Sequence, residues 1–350
     1  KNLVDSEVMI GLVQQAGHDV TADAADADVL VVNTCAFIDS AKQESVDTIL
    51  ELAELKKSGR CRKLVVTGCL AERYRGELQQ QIGEIDAVLG TGEVPDIVAA
   101  VSAPPGSHAA AAAPLRLYRR PPSVPPAAAA PLPEYLYDAE TPRTLVTPKH
   151  YAYVKVAEGC DYTCAFCIIP TLRGHYRSRD PKSIVTEAQH LAERGVRELL
   201  LISQDTTFFG VDRGERGALG RLLRDLDGVD GLEWIRLLYL YPTTITDDVL
   251  DAIADSRKVC RYIDLPLQHA APAVLKRMKR PGNGTTYRRL LDRIRTRVPG
   301  VALRTTLIVG FPGETAAEFE TLQSFVQDVR FDHLGVFTYS HEEGTSAFSL

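Results

Sequence analysis

The chain has 350 residues, a net charge of −6 and a pI near 5.8. That length favours two domains, and the acidic balance argues against wholesale nucleic-acid binding while leaving local patches open. No apolar run reaches the roughly 20 residues of a membrane helix, no signal peptide is visible, and seven cysteines do not make a secreted disulfide scaffold, so a reducing cytoplasm is the expected compartment.

Residues 1–103 alternate helix and strand. Val8, Met9, Leu12, Val13 and Ala16 repeat at a helical period, with Gly17 as the C-terminal stop. Val29–Val32, Leu64–Val66 and Ile85–Leu89 are short apolar, β-branched runs of the kind found in buried parallel strands. Helices are predicted over 41–57, near 72–81 and over 94–101. This is a doubly wound α/β domain of flavodoxin-like layout. Two of its strands end alike, in Asn33-Thr34-Cys35 and Thr67-Gly68-Cys69. The carboxyl edge of an open parallel sheet is where ligands bind. Cys35 and Cys69 there can share one metal cluster, or be two core thiols. Cys61, among Arg60, Arg62 and Lys63, reads as a surface loop, and Cys260 as a core or loop thiol.

Residues 104–147 change character. The alanine runs Ala109–Ala113 and Ala127–Ala130 and the many prolines predict a partly extended, mobile linker. From 148 to 350 a strand–helix rhythm repeats six times, with strands over 151–156, 198–202, 235–240, 262–265, 302–309 and 334–337. Six parallel βα units make a partial barrel, whose active site belongs at the carboxyl ends of the strands.

Directly after the first of these strands stands Glu158-Gly159-Cys160-Asp161-Tyr162-Thr163-Cys164-Ala165-Phe166-Cys167. Its C-x3-C-x2-C spacing gathers three thiols and no nearby fourth. A closed zinc site or a closed [4Fe–4S] carrier wants four protein ligands. Three thiolates on a four-iron cluster leave one iron open, and an open metal position is where chemistry happens. A zinc site would need a distant fourth ligand.

This stretch resembles the cluster motif of the radical S-adenosylmethionine (SAM) enzymes, including the aromatic Phe166 before the last cysteine. The resemblance implies that Cys160, Cys164 and Cys167 hold a [4Fe–4S] cluster whose open iron chelates SAM. It also implies a partial (βα)6 barrel. Polar groups at the strand ends then become candidates to bind SAM: Gln204 in Gln204-Asp205-Thr206, Thr306, and Gly310 in the glycine-bearing run after the fifth strand. Arg304 needs a partner inside an apolar strand, either the SAM carboxylate or a structural salt bridge. His269 reads as a packing residue.

The two-domain layout resembles the methylthiotransferases, which carry a second [4Fe–4S] cluster on three cysteines of the N-terminal domain. Cys35 and Cys69 match two of them. Lys1-Asn2-Leu3-Val4-Asp5-Ser6-Glu7, Asn33-Thr34-Cys35-Ala36-Phe37-Ile38, Cys167-Ile168-Ile169-Pro170, Leu265-Pro266-Leu267-Gln268-His269 and Met278-Lys279-Arg280-Pro281 narrow the resemblance. They are similar to the branch that modifies an aspartate of ribosomal small-subunit protein twelve. The family's first cluster cysteine lies upstream of Lys1 and its C-terminal TRAM domain lies beyond Leu350, so this chain is expected to lack both.

The implied reaction suits the target, an unactivated C–H bond beside a carboxylate. General bases with pKa near 7 do not remove such a proton, whereas a carbon radical takes the hydrogen atom. An electron donor is a required partner. Two other readings stand beside this one: a methylthiotransferase acting on a tRNA adenosine, and a non-catalytic iron- or zinc-binding module.

Overall fold

A computed structural model describes residues 1–105 and 132–350; the larger part of the predicted linker, 106–131, lies outside the described residues. The first unit is a three-stranded parallel sheet in the order β1 (Val29–Thr34), β2 (Lys63–Gly68), β3 (Ile85–Leu89). Helix α1 (Asn2–Gln15) precedes it. Helices α2 (Asp39–Ser58), α3 (Cys69–Gln81) and α4 (Ile97–Ser102) follow the successive strands.

Side chains alternate across a strand, so each face of the sheet gathers its own apolar layer. Leu30, Val32, Leu64 and Val66 pack against Ile49 and Ala53 of α2 and Leu70 and Leu78 of α3. Val65, Ala87 and Leu89 pack on the opposite side against Val4, Val8 and Met9 of α1 and Ile97 and Ala100 of α4. With helices on both faces, the sheet is doubly wound. Cys61 departs from the surface loop expected of it: it is buried in the first layer, and its thiol donates to the Lys63 carbonyl (3.2 Å). The flanking charges turn outward or reach away, the Lys63 ammonium to the Ala103 carbonyl (2.8 Å).

The second unit begins with β4 (Tyr151–Lys155) and a short antiparallel pair, β5 (Ala157–Glu158) with β6 (Arg177–Ser178). Between the paired residues lie the three-cysteine loop and the one-turn helix α5 (Ile169–Arg173). Then come α6 (Pro181–Glu193), β7 (Glu198–Ile202), α7 (Ala218–Asp227), β8 (Trp234–Leu237), α8 (Asp247–Asp255) and β9 (Tyr262–Asp264). Helices α9 (Pro272–Arg277) and α10 (Gly284–Arg297), strand β10 (Ala302–Val309), helix α11 (Ala316–Val329) and strand β11 (His333–Thr338) complete it. The ladders run β4–β7–β8 and β9–β10–β11, all parallel, and bridges from Ile235 to Val259 and from Leu240 to Asp264 join the two triplets. Among the described residues no ladder returns from β11 to β4, so the six-stranded barrel is open.

Leu199, Leu201, Ile235, Leu237, Leu303 and Leu307 point outward into the helical layer. The alternate residues Tyr153, Ile202 and Leu238 face the other way and join the apolar layer of α1 and α4. The first unit is thereby packed onto the barrel.

Residues 132–147 are irregular but anchored. Arg143 donates to Glu7 of α1 (2.6 and 3.0 Å), to Glu187 of α6 (2.5 Å) and to the Tyr153 carbonyl (2.6 Å). The buried Tyr137 hydroxyl meets the same Glu187 carboxylate. A Cβ at Gly11 would lie 2.5 Å from the Pro142 carbonyl carbon, so only glycine lets this strap lie flat on α1. No described helix is long and apolar enough to cross a membrane.

Candidate active site

The three-cysteine loop leaves β5 through Gly159, whose φ of 82° is left-handed. A Cβ there would meet the His175 carbonyl oxygen at 1.9 Å, so the loop closes tightly on the segment after α5. Its backbone is pinned from several sides. Cys160 N–H donates to the Gly174 carbonyl (3.0 Å), Ala165 N–H to that of Met278 (2.9 Å), and the Ala165 carbonyl accepts from Ala347 (2.8 Å). Cys160, Cys164 and Cys167 are free thiols, half-buried. Burial pushes the Cys160 thiol up to about 11 and that of Cys167 up to about 12, and their neighbouring thiols push the same way. A bound metal would have to displace those protons.

Among the described residues no group of three or more His, Cys, Asp or Glu side chains stands ready to hold a metal ion. Zinc would require thiolates about 2.3 Å from one centre, whereas a cubane takes each thiolate on a different iron. Three thiols on one loop offer three ligands, one fewer than a closed zinc site takes. Arg280 also fits an anionic group: it is buried, points one N–H at the Cys164 sulfur (3.7 Å), caps the Pro266 carbonyl (2.8 Å) and covers the Tyr241 ring.

The residues predicted to hold SAM lie in the loop itself, after β7, and along and after β10. Phe166 packs with Ile308, Phe311 and Met278, tying the loop to the end of β10. Gln204, after β7, donates to Glu158 (2.6 Å), and its own side-chain oxygen is buried without a protein partner. A buried acceptor in that state is a vacancy for a donor. Arg304 is paired with Asp264 (2.7 Å), the structural salt bridge of the two options. The Thr306 carbonyl receives Gln268 N–H (2.9 Å), and Gly310, in left-handed backbone (φ 71°), gives its N–H to Glu314 (2.5 Å). Tyr239 (φ 61°) and Gln268 (φ 73°) are non-glycine residues in the same left-handed region. Both lie just after barrel strands, and such backbone concentrates at functional sites. His269 is fully buried as expected of a packing residue; its Nδ1 accepts from Ala271 N–H, so Nε2 carries the proton toward Glu314 (3.2 Å).

The second thiol pair is built by register. Thr34 pairs with Gly68 across β1 and β2, so Cys35 and Cys69 follow adjacent strand ends. The Thr34 hydroxyl donates to the Thr67 carbonyl (2.6 Å) and accepts from Leu70 N–H (3.2 Å), lacing the ends together. Ser45 holds Cys35 through both its N–H (3.1 Å) and its carbonyl (3.0 Å). Burial raises the Cys69 thiol, opposed by Arg173, which donates to its sulfur (3.6 Å).

Between the two thiol groups lies a closed ring of buried charge. Lys155 of β4 contacts Asp5 of α1 and Glu158 of β5, both at 2.5 Å. Arg173 of α5 contacts the same two carboxylates at 2.8 and 3.0 Å. Burial alone would raise the Glu158 carboxyl; Lys155 and Arg173 outweigh it and hold it well below the ordinary carboxylate range. Sequence reading passed over Lys155, Arg173 and Arg280 as actors. The available signal was a basic residue at each edge of an otherwise apolar or cysteine-bearing stretch.

Residues 1–90 match the model of an uncharacterised protein family, UPF0004, and residues 154–326 that of the radical SAM superfamily. A ribosomal protein uS12 methylthiotransferase RimO from Koribacter versatilis is 50% identical, covering all of this chain and 74% of its own length. Its counterparts in Solibacter usitatus and Pelotomaculum thermopropionicum are 50% and 48% identical, again over the whole chain and 71% and 75% of their own lengths. This chain belongs to the RimO methylthiotransferase family. The superfamily carries SAM and a [4Fe–4S] cluster. Among solved structures, the radical SAM methyltransferase TsrM of Kitasatospora setae superimposes with a TM-score of 0.67 at 17% identity, over 96% of this chain and 69% of that one. That likeness speaks to the fold: a RimO-family chain shares its partial barrel and preceding α/β unit with a distant radical SAM enzyme.

Proposed function

We propose that this chain transfers a methylthio group to the β-carbon of an aspartate in ribosomal protein uS12, in the cytoplasm. One observation supports it above the others: a single buried ion-pair ring joins the three-cysteine loop to the Cys35–Cys69 pair, so the two thiol groups work side by side. In this reading, 1–103 is the sulfur-delivering unit, 104–147 the connection and 148–350 the radical-generating barrel.

Cys160, Cys164 and Cys167 hold the barrel's cluster. Cys35 and Cys69 are two of the ligands of a second one. When bound, the first group supplies the electron that splits SAM and starts hydrogen-atom abstraction, and the second supplies the sulfur. Arg280 offsets the thiolate charge at Cys164. Phe166, Gln204, Thr306 and Gly310 line the barrel mouth where SAM is placed, and Gln204 offers its unsatisfied oxygen to a donor on it. Arg304, locked by Asp264, presents its remaining N–H groups. Helix α1 packs over Tyr153 and Ile202, and in this reading that apolar cover shields a reactive carbon radical.

The test is mass spectrometry after anaerobic reconstitution with SAM, reductant and ribosomal small subunits. A methylthio mass gain on the uS12 aspartate is expected. A modified tRNA adenosine in place of it would transfer the assignment to the nucleic-acid branch. A cluster-loaded protein that yields no 5′-deoxyadenosine would leave a metal-binding module.

A further inference from the structure

Arg173 stands where the two thiol groups come closest to sharing a residue. It ends the one-turn helix that begins just after Cys167, and one guanidinium nitrogen grips Asp5 and Glu158 while the other reaches the Cys69 sulfur and the Asn2 side chain. Every charged member of the ring is at most 8% exposed. Two acids and two bases alternate, so the ring is neutral in itself and needs no outside ion to balance it. A buried pair is weak evidence of stability, since apolar replacements often do as well. Its best-attested use is to fix one arrangement among alternatives.

The arrangement fixed here is between units. Asp5 belongs to the N-terminal helix; Lys155, Glu158 and Arg173 belong to the barrel. Glu158 lies two residues before Cys160, and Arg173 six after Cys167. Gly174, next to Arg173, has a φ of 72°, and a Cβ there would strike the Pro133 carbonyl oxygen at 2.3 Å, so the end of the helix has no room to drift. Ile168 and Leu172 of the same segment are buried in the apolar layer of α2 and α3.

We propose that Arg173 is a positioning residue: through the ion-pair ring it sets the distance and orientation of Cys69 relative to the three-cysteine loop. The inference rests on the methylthiotransferase reading above. Sulfur transfer requires the two centres to be in register, whereas splitting SAM at the barrel centre does not. Loss of Arg173 is therefore expected to uncouple the two.

The experiment uses the full-length enzyme with both clusters loaded, comparing wild type with Arg173→Lys, Arg173→Met and the charge-balanced pair Asp5→Asn with Arg173→Met. The double variant guards against simple unfolding by removing one acid with one base. Two readouts are taken. The first is the ratio of 5′-deoxyadenosine to methylthiolated product. The second is the magnetic interaction between the two reduced clusters in electron paramagnetic resonance. Misplacement by about 1 Å costs roughly 100-fold in rate. Methylthio transfer should fall by that order in the Met variants while 5′-deoxyadenosine formation persists, and the spin–spin interaction should change with it. Lysine should restore part of both. An unchanged product ratio and unchanged spin interaction would overturn the inference, as would equal loss of both products in every variant, which marks a merely structural residue. Wild-type enzyme that forms only the barrel cluster would overturn the underlying reading before any variant is measured.

Discussion

The two thiol groups are made in opposite ways. Cys160, Cys164 and Cys167 are gathered by one loop, closed at its base by the β5–β6 pair and by Gly159 beneath His175. Cys35 and Cys69 are far apart in sequence and meet only because Thr34 registers with Gly68 across a parallel sheet. The first group is an autonomous motif. The second depends on the fold of a whole domain and, through Arg173, on the neighbouring domain as well. Each group has one buried arginine aimed at one sulfur, Arg280 at Cys164 and Arg173 at Cys69. Arg280 is held by a carbonyl and an aromatic face from the barrel alone, while Arg173 is held by carboxylates from two units. The loop's thiols are thus gathered locally, whereas the alignment of the pair passes through residues of both units.

The sharpest way to break that contrast is to remove one thiol from each group. Cys164→Ala should bring 5′-deoxyadenosine to background and lower iron content, and Cys69→Ala should keep 5′-deoxyadenosine while abolishing methylthio transfer. If both variants lose both products alike, the groups are not separable. Next in size is the strap. Arg143→Met leaves Glu7 and Glu187 buried with one partner fewer and should cost about 3–5 kcal/mol in chemical denaturation. The defect should loosen the contact between units more than either unit. Gly11→Ala should destabilise by about 1–3 kcal/mol through overpacking against Pro142, against the ~1 kcal/mol that alanine gains over glycine in a helix. Gly83→Ala, with open space around it, is the control.

The smallest effect concerns a residue that bears no thiol. Burial lowers the His269 pKa below its ordinary 6.5, opposed by Glu314 and Glu318 and assisted by Arg277. The folded state thus prefers the neutral ring. Its contribution is whole above pH 6.5 and is lost as pH falls below that toward the lowered value. Denaturation curves between about pH 5 and 8 should show this slope in the wild type and lose part of it in His269→Gln.

The fold was legible because short, β-branched or continuous apolar runs such as Val29–Val32 and Leu199–Ile202 are of strand length and alternate with longer helical-period segments. The short helices α5 and α9 escaped, since five or six residues starting at or next to a proline show no period. The three-cysteine loop was readable for the same reason that it is autonomous: its ligands are close in sequence. The Cys35–Cys69 pair was readable only through matching strand ends. The ring of Asp5, Lys155, Glu158 and Arg173 was not, because charges far apart in sequence reveal nothing of their pairing until the sheet and barrel are assembled. Cys61 misled because Arg60, Arg62 and Lys63 around it look like surface. Arg304 was recognised as needing a partner; choosing Asp264 took the register of β9 with β10, which sets those two residues opposite each other.

Helix α5 is one turn long, beginning two residues after Cys167 and ending in Arg173. Through the buried Ile168 and Leu172 and through Arg173, so brief a connector binds the loop's exit to the first unit. An opening that admits a protein side chain is then expected at the gap between β4 and β11, the two edge strands of the barrel, rather than between the loop and Cys69.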